Sequence, residues 1–194
     1  MIMAQIQQED RVNLGAKKFS MWIFIFTSFM FFAALTSGFI VYSGQKGHAL
    51  DVKMPTTFIF STIVILLSSV TLYMASTAAK KLEWEKQKFL LWVTFALGIV
   101  FLVLQIQAWY ILTYKMGVYF VGPNASRTFI YVFTGMHLLH ILAGLAVVLN
   151  AIKGTYGSVT QVKNLYKMEM TSIFWHFLDI IWIYLYVFLL LNQY

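Results

Sequence analysis

Five stretches of this 194-residue chain are each long and apolar enough to cross a bilayer: Phe19 to Ser43, Thr56 to Ala79, Phe89 to Thr113, Thr128 to Ile152, and Met170 to Leu191. About 20 mostly apolar residues suffice for a spanning helix. No water reaches the hydrocarbon core to satisfy backbone N–H and C=O groups. A long apolar segment there closes its hydrogen bonds internally, as an α-helix. The expected fold is therefore all-α, a polytopic bundle of five transmembrane helices over about 19–43, 56–79, 89–113, 128–152 and 170–191, in one domain (19–194) behind a polar N-terminal segment (1–18). Composition agrees, with 60% hydrophobic and 11% charged residues, far from the soluble average. The short polar connections leave no room for a soluble domain between spans. The only prolines, Pro55 and Pro123, fall in expected loops, so no span carries a helix breaker. The N-terminal stretch MIMAQIQQEDRVNLGAKK is polar and precedes a long span, unlike a cleaved signal peptide.

The net charge is +7, and its placement sets an expected orientation. Arg11, Lys17, Lys18, Lys80, Lys81, Lys86, Lys88, Lys153, Lys163 and Lys167 gather on one side, whereas Lys46, Lys53, Lys115 and Arg127 lie on the other. The positive-inside rule then puts the N-terminus in the cytoplasm and the C-terminus in the periplasm. These lysines read as topology determinants, and nothing supports nucleic-acid binding. Cysteine is absent, which excludes disulfides, thiolate metal sites and covalently attached haem.

Polar residues inside the spans narrow the function classes. In the second span Thr57, Ser61 and Ser68 recur at four- and seven-residue steps, on nearly one face. Such a row of small polar residues reads as an interhelical seam. Gln105 lies deep enough in the third span to need a hydrogen-bond partner, and Trp109 and Tyr110 fit an aromatic belt at its outer end. The fourth span carries His137 and His140 three residues apart, on a shared face. In the fifth, Glu169, Ser172, His176 and Asp179 fall within about 80° of one another, a polar stripe between Trp175 and Trp182 on an otherwise apolar helix. Ionisable groups at bilayer depth are costly and draw a functional hypothesis by default. His140 sits at a depth similar to Asp179 and His176, so a pairing across adjacent fourth and fifth spans is expected if the two helices neighbour one another.

Three readings follow from these residues. A haem or metal site has three histidines and two carboxylates to draw on, but no Glu-x-x-His motif of the di-iron bundles occurs. A proton or solute pathway has only one deep acid, Asp179, where a relay normally uses several groups. A structural, lipid-binding subunit of a larger membrane complex uses the polar stripes to tie helices together, with head groups met by Lys, His and Trp near the interfaces.

The motifs resemble subunit III of the haem–copper oxidases, the cytochrome c oxidase family. The likeness runs from about Ser20 to the C-terminus. Glu169, Trp175, His176, Phe177, Asp179 and Trp182 match the family's E-x-x-x-x-x-W-H-F-x-D-x-x-W. Thr134, Gly135, His137, His140 and Gly144 match its T-G-x-H-x-x-H-x-x-x-G. Leu66 to Thr71, Phe101 to Gln105 and the first span are similar to further family patterns. Two positions depart: Ser28 stands where relatives carry a buried glutamate, and Ala108 where they carry an acid before an aromatic pair. Any proton-linked role of that glutamate is not carried over.

The resemblance implies a non-catalytic subunit of a respiratory oxidase that reduces oxygen and pumps protons. No cofactor is then expected in this chain; haem and copper belong to partner subunits I and II, and phospholipid is bound here. Such a subunit stabilises subunit I and supports proton uptake and oxygen access. His137, His140, Glu169, His176, Asp179, Trp175, Trp182 and Gln105 become interhelical or lipid-contacting residues rather than metal ligands. Five spans look like the short form of a family whose long form has seven, which points to a bacterial cytoplasmic (inner) membrane. A quinol oxidase subunit III is the alternative; membership of a respiratory supercomplex stays open. Less favoured is a haem- or metal-binding membrane protein in its own right.

Overall fold

The computed structural model describes residues 2–46, 50, 52–120, 125–156 and 161–193, with side chains described for 14–45 of the first helix. Five helices form: α1 (Ile2–Lys46), α2 (Thr57–Lys80), α3 (Trp84–Tyr110), α4 (Ala125–Tyr156) and α5 (Gln161–Leu191). All five are long and apolar enough to cross a membrane. They begin earlier or end later than the apolar runs alone predict. α1 continues through the polar N-terminal stretch without a break, and α5 starts at Gln161 instead of Met170. Apolarity marks where a helix meets lipid; helical hydrogen bonding extends past that boundary wherever no breaker intervenes. Pro55 is in the α1–α2 connection as expected, while Pro123 lies outside the described residues.

Helices α2 to α5 close a ring, each packing on the next and α5 on α2, and among the described residues α1 lies outside against α4 and α5. Short connections make sequential helices antiparallel neighbours. At the α2–α3 turn Leu82 takes the left-handed backbone (φ 62°). In that turn Glu83 pairs with Lys86 at 2.9 Å, and the ammonium holds the Glu83 carboxyl below its usual range. At the far end, α3 opens into a single π-turn over Ile111–Lys115. Gly117 (φ 66°) then lets the chain reverse, and the Val118 N–H bonds back to the Leu112 carbonyl at 3.0 Å.

The α1–α2 connection is folded in. Leu50, Val52 and Met54 are buried, and the Leu50 N–H donates to the Asn192 carbonyl at 3.1 Å. This clasp ties the α1–α2 connection to the end of α5. Toward the opposite end α1 and α2 are not in contact, which leaves a groove between them floored by α5.

Candidate functional site

Trp175 of α5 is buried. Its indole N–H donates to Ser68 Oγ of α2 at 3.0 Å. Its ring lies against two glycines: a Cβ on Gly98 of α3 would come within 2.9 Å of Cη2, and one on Gly144 of α4 within 3.3 Å of Cε3. One side chain thereby touches three other helices. Trp182, about two turns on, repeats the device. Its N–H donates to Thr62 Oγ1 at 3.0 Å, and its ring packs on Phe58, Phe101 and His137. The small polar row of α2 is thus an interhelical seam: Ser61 accepts from Gln105 Nε2 at 3.0 Å, Ser68 from Trp175, and Thr71 bonds Thr94 at 2.8 Å. Polar contacts of this kind specify how apolar helices rotate against one another.

The three histidines among the described residues occupy separate environments. His137 is fully buried, caged by Phe32, Phe101 and Trp182, and neither ring nitrogen has a hydrogen-bond partner. His140 turns Nδ1 to its own helix, 2.8 Å from the Met136 carbonyl, with its ring on Phe24 and Phe32 of α1. His176 shares a hydrogen bond of 2.7 Å with Ser69 Oγ of α2 through Nδ1. The same nitrogen lies 3.6 Å from Asp179 Oδ2. Spans four and five do pack together, but no hydrogen bond joins Asp179 to His137 or His140. The expected cross-helix pair is replaced by an i, i+3 pair within α5, because the fourth-span histidines face α1 and the aromatic cage. Among the described residues no three histidine or acidic side chains come together as a metal-ion group.

The polar stripe of α5 runs along the groove floor. Glu169 pairs with Lys18 of α1. Ser172 and His176 follow it down the groove, which also takes Tyr73, Ser76 and Lys80 from α2. Asp179 ends the stripe behind His176, 4% exposed. A second, apolar groove lies on the other flank of α1, where Met21, Phe24, Ala143, Val147 and Phe174 line a trough with Lys17 and Ser20 at its end. Ser28, at the departing first-span position, is buried, as is Ala108.

Sequence reasoning passed over the Gln87–Asn164 pair. The two amides exchange reciprocal hydrogen bonds of 3.1 Å between α3 and α5, both side chains buried. Each lies outside the apolar runs, where polar residues look like surface; the signal was two amides at matched distance from the lysine-rich helix ends.

A family profile described as Cytochrome c oxidase subunit III matches residues 5–193. The chain belongs to this family. Among its relatives, the cytochrome bo(3) ubiquinol oxidase subunit 3 of Buchnera aphidicola subsp. Schizaphis graminum is 30% identical, with 91% of this chain and 94% of the relative covered. The cytochrome c oxidase subunit 3 of Bacillus subtilis is 28% identical over 91% and 87%. That of Alkalihalophilus pseudofirmus is 27% identical over 91% and 88%. The match spans all five helices, so the family's motifs and the Trp175–Gly98–Gly144 packing lie in one continuous region of likeness.

Proposed function

We propose that this chain is the accessory subunit III of a respiratory haem–copper terminal oxidase, held beside subunits I and II in a bacterial cytoplasmic membrane with its N-terminus in the cytoplasm and its C-terminus in the periplasm. The observation that carries the reading is the family match over nearly the whole chain. Haem and copper then reside in the partner subunits, and the chemistry of oxygen reduction is theirs. The relatives divide between cytochrome c and ubiquinol oxidases at similar identity, so the accessory role is common to both donors; subunit III of a quinol oxidase is the second reading.

Within this role, His140, Trp175, Trp182 and Gln105 fix how the helices pack and His137 fills the aromatic cage, while Glu169 and His176 form the polar floor of the α1–α2 groove with Asp179 buried behind His176. The apolar trough between α1 and α4 suits an acyl chain, with Lys17 placed for an anionic head group. Lysines concentrated at one end of the bundle support the cytoplasmic assignment of that end.

A reduced-minus-oxidised absorbance spectrum of the tagged chain, purified from its native membrane in mild detergent, tests the reading. Haem bands that co-purify and vanish when the sample is stripped to the single chain are expected. Bands that stay with the isolated chain would make its histidines ligands and overturn the accessory role.

A further inference from the structure

Asp179 and His176 occupy unlike positions although they are three residues apart. Asp179 is 4% exposed, its carboxyl oxygens make no hydrogen bond of ordinary length among the described residues, and its polar neighbours are His176 and Ser69. An acid buried in an apolar bundle with only an imidazole and a hydroxyl for polar neighbours is costly, which draws a functional hypothesis to it. His176 is part-exposed and lines the α1–α2 groove, a cavity of about 710 Å³. Its Nδ1 is turned inward, 2.7 Å from Ser69 Oγ and 3.6 Å from Asp179 Oδ2. Nε2, the opposite ring nitrogen, makes no hydrogen bond among the described residues. The imidazole therefore stands between an open groove and a closed carboxyl.

We propose that Asp179 is a proton-binding site inside the membrane domain, loaded and emptied from the α1–α2 groove through His176. A proton from groove water binds Nε2 while the Nδ1–H bond, released from Ser69, gives its proton to Oδ2, which leaves the Nε2–H tautomer; emptying runs the same two transfers in reverse and restores Nδ1–H. One proton is taken from water and one is bound to the carboxylate; no electron moves and no other bond breaks. Histidine suits this task because its two nitrogens exchange donor and acceptor roles near neutral pH. Ser69 holds the ring with Nδ1 toward the acid. The 3.6 Å separation is longer than a hydrogen bond, and closing it takes only a small ring rotation of His176 about its side-chain torsions.

The surroundings keep the route narrow. Tyr73 and Lys80 from α2 and Tyr166 from α5 also line the groove. From α1, Lys18 is paired with Glu169, which is seven residues, about 10 Å, from His176 along α5. From α4, His140 is bonded to its own helix and His137 is caged by rings. α3 carries no ionisable side chain between Lys88 and Tyr110. His176 is the one ionisable side chain of the described residues found both in the groove and beside Asp179.

Infrared difference spectroscopy on the intact membrane complex tests this, with the protonated-carboxyl C=O stretch as readout. The wild type is expected to show such a band, titrating with pH and shifting in D2O, and Asp179→Asn to lack it. His176→Phe should keep the band but slow its D2O shift by roughly a hundredfold, the scale of a lost proton-transfer group. Should Asp179→Asn fail to assemble, Asp179→Glu serves, since the band of a resident acid must move with the longer side chain. No band dependent on position 179 at any pH would overturn the proposal, as would an exchange rate indifferent to His176→Phe. The readout is the carboxyl and not oxygen reduction, so this inference and the accessory role fail separately.

Discussion

Trp175 packs its Cη2 edge on Gly98 across the α5–α3 boundary, and a single methyl group at Gly98 would stand 2.9 Å from the indole Cη2 and 2.7 Å from Leu145 Cδ2. The indole has no room to withdraw, because its N–H is bonded to Ser68 and its Cε3–Cζ3 edge lies on Gly144. Four helices are therefore registered by one side chain and two missing ones.

Gly98→Ala should accordingly destabilise the bundle by about 1–3 kcal/mol, the usual cost of overpacking a filled interior. Thermal unfolding in detergent, followed by near-ultraviolet circular dichroism of the tryptophans, would show the loss. Gly38→Ala is the control, since a Cβ there meets nothing within 4 Å and the unfolding temperature should hold or rise. Equal behaviour of the two variants would mean that Trp175 is not held where the structure places it.

Ser68→Ala removes the acceptor of the Trp175 N–H and leaves a buried donor unpaired, at about 1–3 kcal/mol. Trp175→Phe in the Ser68→Ala background removes the orphaned donor, so the second substitution should cost less there than in the wild type. A double-mutant cycle on unfolding free energies measures that coupling; a coupling of zero would sink the bond.

How much of this was legible in the sequence follows from what periodicity encodes. Runs of apolar residues located all five spanning helices, because the bilayer imposes length and leaves only helices as solutions. A 100° step per residue placed Ser61 and Ser68 on one face of α2, and that face does bond α3 and α5. The same arithmetic put His140 level with Asp179 but left open which way α4 is rotated about its axis. Packing decides that rotation, and it turns His140 to Phe24 and Phe32 of α1. The ends of helices were the weakest reading, since polar residues such as Gln87 and Asn164 continue α3 and extend α5 beyond the apolar runs.

Gln87 and Asn164 yield a third expectation. Each amide satisfies the other, so Gln87→Leu should strand Asn164 and cost about 1–3 kcal/mol, whereas Gln87→Leu with Asn164→Leu should recover most of it by replacing both polar groups. Urea-free thermal melts of the single and double variants separate the cases. A double variant no better than the single one would place the cost in packing rather than in the amide pair.

The Lys18–Glu169 ion pair looks like the strongest electrostatic link between α1 and the ring, yet both side chains are about half exposed, 42% and 50%. Solvent screens such pairs, and their median worth is about 0–1 kcal/mol. Glu169→Gln should therefore lower the melting temperature only slightly, and the difference should shrink further in high salt. A large, salt-independent loss would show that Glu169 is held by something other than Lys18.

His137 offers the opposite case, a buried polar group whose removal should not hurt. It is fully buried with both ring nitrogens unpartnered, between Phe32, Phe101 and Trp182. The imidazole in that cage leaves two nitrogens desolvated and gains ring contacts. His137→Leu keeps similar volume and removes both nitrogens, so stability should stay level or rise by about 1 kcal/mol. If His137 instead served as a ligand or a proton carrier, the substitution would leave the fold intact and abolish a spectral band or a proton-linked signal. Measuring melting temperature together with the haem spectrum of the assembled complex distinguishes the two: a stable variant with an unaltered spectrum is expected, and a stable variant with a lost band would assign His137 a chemical role that its surroundings give no sign of.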